Sequence, residues 1–186
     1  MNRFVIMTVG KTHSGKTTFA QKLEKDLENS VVIDQDNHAQ FLKDYYPTLF
    51  HGTGPNKIKY TLTQTMVDYV VHETNNDIIL CNSNYNKLGR NKLLHYYKKN
   101  DFKTILVFFD IPEEVLYARV KNSNRKTDIL RTASSFLEVL DRQQSEMKKE
   151  EICAPTEEEA DYFFTIQDEK DVDKVVKDLV VILGER

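Results

Sequence analysis

Short apolar runs alternate with longer stretches whose apolar residues recur at helical spacing, from one end of the chain to the other. The runs cover 4–9, 31–33, 77–81, 104–109 and 162–166 and are rich in Val, Ile and Phe. Runs of that kind predict strands buried on both faces, as in a parallel sheet. Helical spacing covers 16–28, 37–45, 58–74, 87–99, 113–122, 134–150 and 172–183. No hairpin signal lies between them. The predicted fold is α/β, a three-layer doubly wound sandwich of a five-stranded parallel sheet with helices on both faces. Ligands of such a sheet bind beyond the carboxyl ends of its strands, so the residues just after each run are the candidates for chemistry.

Three stretches break the pattern. The segment 47–57 carries Pro47, Gly52, Gly54 and Pro55 and predicts a loop bordering a substrate pocket. The segment 122–132 holds Arg125, Lys126 and Arg131 among few apolar residues and predicts a mobile basic flap. The run Glu157-Glu158-Glu159 predicts a solvated surface before the last strand. The whole of 1–186 is expected to form one domain, with a lid at about 119–132 and a substrate-side insertion at about 37–75.

Composition narrows the class without choosing a function. A chain 40% hydrophobic and 30% charged, with 6 Gly and 4 Pro, fits neither a disordered nor a fibrous protein. Its net charge of -3 gives no bulk attraction for nucleic acid or anionic membrane, so any polyanion site has to be local. The apolar amino terminus is too short to span a bilayer and lacks a small-residue cleavage site. Cys81 and Cys153 are the only cysteines, and Cys81 sits in an apolar run as a small buried hydrophobe, so no disulfide framework is expected. These features predict a cytoplasmic protein without a membrane partner, as a monomer or homodimer.

One segment carries specific chemistry. Gly10, Lys11, Thr12, His13, Ser14, Gly15, Lys16 and Thr17 form a Gly-x4-Gly-Lys-Thr cradle, placed where a strand pattern ends and a helix pattern begins. Glycines let successive backbone N–H groups converge on phosphate oxygens, and the positive end of the following helix adds its field. Lys16 is expected at the β- and γ-phosphates, the Thr17 hydroxyl on a bridging Mg2+, and Thr18 at the α-phosphate. His13 has no required role in this motif. ATP and Mg2+ are the cofactors this implies.

After the second strand come Asp34 and Asp36, one residue apart. Strand alternation places both on one side. Phosphoryl transfer needs a carboxylate near the metal and another that orients the attacking hydroxyl, and these two can divide the tasks. The alternative is that one merely caps the helix that follows.

Cradle, helix, second strand and then Asp-x-Asp resemble the small-molecule and polynucleotide P-loop kinases, the group of shikimate kinase, gluconate kinase, zeta toxins and polynucleotide kinase. The resemblance implies that Asp34 serves the metal shell and Asp36 holds the acceptor hydroxyl as base. Cys81-Asn82-Ser83-Asn84 with a trailing Arg90 is similar to that group's Asp-Ala-Thr-Asn segment, with Asn82 in place of the acid, which leaves more of the metal role to Asp34. The resemblance further implies substrate contacts at Asn84 and Arg90, lid arginines at Arg119, Arg125 and Arg131, and adenine neighbours at Gln167 and Asp168. Arg90 also reads as an ordinary helix-surface charge, and the lid as a solvated basic loop. The implied activity is an ATP- and Mg-dependent kinase acting on a small-molecule or nucleotide acceptor. Two alternatives stand beside it: a polynucleotide 5'-hydroxyl kinase, with nucleic acid a less favoured partner, and a nucleotide-dependent switch with a protein partner.

Overall fold

The computed structural model describes residues 3–50 and 56–184; Gly52, Gly54 and Pro55 of the expected loop lie outside them. Five strands, β1 (Arg3–Gly10), β2 (Ser30–Ile33), β3 (Asp77–Leu80), β4 (Phe102–Phe109) and β5 (Tyr162–Ile166), form one sheet in the order β2-β3-β1-β4-β5. Every pairing is parallel, and β1 runs in register with β4 from Arg3 opposite Phe102 to Gly10 opposite Phe109.

The helices are α1 (Lys16–Asp26), α2 (Gln35–Tyr45), α3 (Pro47–Phe50), α4 (Lys57–Glu73), α5 (Lys87–Lys99), α6 (Glu113–Lys121), α7 (Phe136–Glu146) and α8 (Glu169–Gly184). Alternate residues of β1 enter different cores. Phe4 and Ile6 pack with Phe19 and Leu23 of α1 and Leu179 of α8, whereas Val5, Met7 and Val9 pack with Val67 and Val71 of α4 and Leu94 of α5. Those two cores are the outer boundaries of the central layer, and they make the three-layer sandwich. None of the described helices is long and apolar enough to cross a membrane.

Two local departures from the sequence reading have plain causes. The segment read as loop from Pro47 contains the short helix α3, and Lys57 already belongs to α4, whose cap is Asn56: its side-chain oxygen accepts the N–H of Lys59 at 3.3 Å. The second helix begins at Gln35 rather than Asn37 because Asp34 caps it, accepting the Asp36 N–H at 2.9 Å.

Candidate active site

Gly10 ends β1, and its N–H donates to Ser83 O on the neighbouring strand's exit at 3.0 Å. A Cβ there would lie 2.7 Å from Ser14 Oγ and 2.8 Å from Phe109 Cβ, so the loop folds back too tightly for any side chain. Gly15 supplies the turn into α1 at φ 101, in the left-handed region. No acidic residue occupies the first turn of α1 and no side chain caps it, which leaves its N–H groups to an anion.

Lys16 curls back over this loop, donating to Lys11 O at 2.5 Å and Ser14 Oγ at 3.1 Å. Burial lowers its pKa to about 8. Burial therefore makes the ammonium less favourable than it is in water, and an arriving negative group offsets that cost. Thr17 Oγ1 donates to Asp34 Oδ2 at 3.3 Å. Asp34 is 4% exposed, and burial raises its pKa against the opposing bond from the Asp36 N–H. Hydroxyl and carboxylate form a hard-oxygen pair of the kind Mg2+ takes, since that ion keeps most of its shell for water and phosphate. The donor set fits the metal, with Thr17 and Asp34 to hold it.

Asp36 is not beside Asp34 on a strand face. The strand ends at Ile33, so Asp36 lies in the first turn of α2 and its carboxylate meets Arg125 NH2 at 2.7 Å. Arg125 in turn stacks over the Phe136 ring at 4.8 Å. A second ion pair, Lys43 to Asp128 at 2.6 Å, also joins α2 to the segment between α6 and α7. Arg119 NH1 donates to His13 O at 3.3 Å, over the cradle itself.

These groups share one cavity of about 1120 Å³, which touches the cradle from Thr12 to Thr18, Asp34 and Asp36, Arg119 and Arg125. Past the cradle it reaches Ile111, Ile166 and Val172 on one side and Lys59 with Tyr60 on the other. Asp168 lines it, while Gln167 turns away and donates to Asp110 at 3.3 Å.

Other expected residues lie elsewhere. Arg90 does not reach the cavity: it is 1% exposed and forms a two-bond ion pair with Glu159, at 2.6 and 2.9 Å. Its Nη1 donates to the carbonyls of Asn84, Tyr85 and Cys153. This corrects two expectations together. Arg90 fastens α5 to the approach of β5, and Glu159 is its buried partner instead of a solvated charge. Burial alone would raise the pKa of Glu159, yet the Arg90 hydrogen bond and charge hold it below the usual range. Glu159→Gln should lower stability by about 3 kcal/mol, because it strands a buried guanidinium. The check is a lower denaturant midpoint at unchanged slope, with nucleotide affinity of the folded protein unmoved.

Asn84 is likewise structural, donating to Thr8 O at 2.8 Å from a backbone at φ 51. Arg131 lies over the Phe50 ring at 5.7 Å, outside the cavity lining. At the exit of β3 the residue against Thr17 is Cys81, with Sγ 3.6 Å from the hydroxyl, not Asn82, whose carbonyl accepts from Thr8 Oγ1. Burial pushes the Cys81 thiol up to about 12, so a neutral thiol, not a carboxylate, faces the Thr17 hydroxyl.

Helix α7 supplies contacts that the sequence reading missed. Gln143 Oε1 accepts the Thr12 N–H at 2.8 Å, Gln144 accepts from the Lys11 ammonium, and Phe136 packs edge-on against His13 at 4.9 Å. Burial, then the charges of Arg125, Lys16 and Arg119, lower the pKa of His13. The neutral imidazole is thus favoured between Phe136 and the nearby cations. The only signal for α7 in the sequence is its amphipathic spacing, which does not say what its polar face touches.

The model for the family described as AAA domain matches residues 5–149. No curated protein matches the sequence. Among solved structures, shikimate kinase from Bacteroides thetaiotaomicron is similar at TM-score 0.58 and 19% identity, over 97% of this chain and 98% of that one. The Mycobacterium tuberculosis APS kinase CysC, in complex with AMPPNP and APS, is similar at TM-score 0.61 and 14% identity over 98% of each chain. Kti12 from Chaetomium thermophilum, in complex with ADP-AlF3, is similar at TM-score 0.61 and 17% identity, over 94% of this chain and 96% of that one. At these identities the likeness is one of fold. The chain belongs to the AAA domain family, and its fold is that of the P-loop kinases.

Proposed function

We propose that the protein is an ATP- and Mg-dependent phosphotransferase that moves the γ-phosphate to a hydroxyl or phosphate of a small-molecule or nucleotide acceptor. The observation that carries this reading is Asp36, a carboxylate outside the cradle but in the same cavity, facing the lid arginine Arg125 at 2.7 Å. A second carboxylate off the cradle and paired with an arginine suits transfer to an acceptor better than nucleotide binding alone.

The roles follow from position. Lys16 and the N–H groups at the start of α1 hold the β- and γ-phosphates, with Gly10, Lys11, Thr12, His13, Ser14, Gly15 and Thr18 completing the cradle. Thr17 and Asp34 hold the metal, which supplies charge neutralisation at the phosphate oxygens when bound. Asp36 accepts the proton of the acceptor hydroxyl. Arg119 and Arg125 deliver guanidinium donors to the charge that grows on the transferring group, and the segment that carries Arg125 closes over it and excludes water. The test is transfer of label from γ-labelled ATP with Mg2+ to pooled nucleosides, nucleotides, sugars, hydroxy acids and 5'-hydroxyl oligonucleotides. A labelled product supports the reading and names the acceptor. Hydrolysis unchanged by every pool would replace it with a nucleotide-dependent switch.

A further inference from the structure

The cavity does not end at Asp36. It continues to Lys59 and Tyr60, at the start of α4. Lys59 is half-buried, with its ammonium 4.9 Å from the Tyr60 ring centre, and it has no hydrogen bond or ion pair from its side chain to any described residue. Some lysines have carboxylates to hand, as Lys43 pairs with Asp128 and Lys22 with Asp173; Lys59 is set apart by lining the cavity while half-buried and unpaired among the described residues. The nearby carboxylates are already engaged, Asp34 with Thr17 and the Asp36 N–H, and Asp36 with Arg125. A partly desolvated ammonium without a counterion is unfavourable, and an incoming anion relieves it.

Two further features of the same helix start favour an anion. The first turn of the 17-residue helix α4 contains no acidic residue, so its positive end is not neutralised from within. Its cap, Asn56, is 8% exposed and accepts the Lys59 N–H on its side-chain oxygen, while the nitrogen on the same amide is buried without an acceptor among the described residues. An unmet ammonium and an unmet amide donor therefore occur within four residues of one another at one helix end. A neutral alcohol could accept from these donors but would bring no opposite charge, whereas an anion makes the stronger charge-assisted bond. An acceptor carrying negative charge would otherwise be repelled by Asp34 and Asp36, and cations placed beyond those carboxylates offset that repulsion.

We infer that the acceptor is an anionic hydroxyl compound, a phosphate or carboxylate, whose charged group is held by Lys59 at the start of α4 while its hydroxyl lies at Asp36. This rests on the transfer reading for the part that concerns the hydroxyl.

The experiment saturates the full-length protein with Mg2+ and a β,γ-imido analogue of ATP, so that the triphosphate site is filled. Matched pairs are then titrated by calorimetry: ribose and ribose 5-phosphate, adenosine and adenosine 3'-monophosphate, glycerol and glycerate. The anionic member of at least one pair should bind about tenfold tighter than its neutral partner, as expected for a charge-assisted contact. Lys59→Gln should abolish that preference and leave the analogue's affinity unchanged. Preference for the phosphates alone or for glycerate alone separates the two chemistries. Equal binding within every pair, no binding of any anionic member, or a preference that survives in Lys59→Gln overturns the inference. Labelled transfer to the same compounds runs beside it. Transfer to neutral members with equal KM removes the anion site and keeps the phosphotransferase, whereas anion preference with no transfer to any compound removes the phosphotransferase and keeps the anion site.

Discussion

Lys16→Ala should lower phosphate turnover from ATP by ~10²–10³-fold if the protein transfers phosphate as proposed, the loss that follows removal of one preorganised donor from developing charge. The fold survives, because the side-chain partners of Lys16 are Lys11 O and Ser14 Oγ within its own loop. The same residue gives binding a pH signature. In the ligand-free protein its pKa is held at about 8 by burial, and a triphosphate raises it by favouring the ammonium. Above pH 8, nucleotide binding should therefore take up a proton, and affinity should fall as pH rises. Calorimetric titration at pH 9 in two buffers of different protonation enthalpy reads the uptake directly, and Lys16→Met should abolish it. Stability of the empty protein moves the opposite way. An unfolded lysine titrates near 10.4, so between about 8 and 10 the unfolded chain binds more protons than the folded one, and stability rises with pH across that window. Equal pH slopes for wild type and Lys16→Met would contradict the buried, poised ammonium.

The cradle was legible because all its parts are consecutive. Two glycines, a lysine and a threonine at fixed spacing between a strand and a helix need no tertiary information to be placed. The parallel sheet was legible for a related reason, since each apolar run states its own burial and the alternation with helices states the connection. Inferences that needed a particular partner distant in sequence fared unevenly: Arg119 and Arg125 do line the cavity, while others failed. Arg90 looked like a crevice residue in line with Asn84, but its partner is Glu159, 69 residues away, and nothing local to either position signals the pair. Gln143 and Gln144 touch the cradle at Thr12 and Lys11 across 131 and 133 residues, and their own neighbourhood reads only as an amphipathic helix. Which residue after β3 faces Thr17 was not legible for a different reason. The strand-exit geometry at Leu80, not the identity of Asn82, decides which side chain faces Thr17, and it chose Cys81.

The two carboxylates were legible as a pair, but the reason offered for their shared side was wrong. Alternation applies only while the chain is extended, and here it turns helical at Gln35. Asp34 satisfies both of the readings that seemed to compete: one oxygen caps α2 through the Asp36 N–H and the other meets Thr17. Capping fixes the carboxylate that a metal would need fixed, so the structural and chemical roles reinforce each other. Asp36 carries neither duty: its carboxylate meets Arg125 instead, and under the proposed function it is the group left to an acceptor.

Asp36→Asn should consequently lose transfer by ~10²–10⁴-fold, the range for removal of a general base, with nucleotide affinity unchanged. The fold has little to lose. The Asp36–Arg125 pair is exposed, at 50% and 39%, and such pairs contribute only about 0–1 kcal/mol. Asparagine keeps the side-chain shape at the start of α2, so a loss of rate cannot be assigned to a loss of structure. The matched variant is Asp34→Asn, which preserves capping because asparagine caps as well as aspartate does. It removes the charge facing Thr17, so its expected defect is a raised Mg2+ requirement for nucleotide binding. Single-turnover transfer, with acceptor and Mg2+ varied independently, separates the two. Full transfer by Asp36→Asn, with the rate instead lost in Asp34→Asn at saturating Mg2+, would move the base from Asp36 to Asp34 and would leave the Arg125 contact as a lid latch rather than part of the reacting centre.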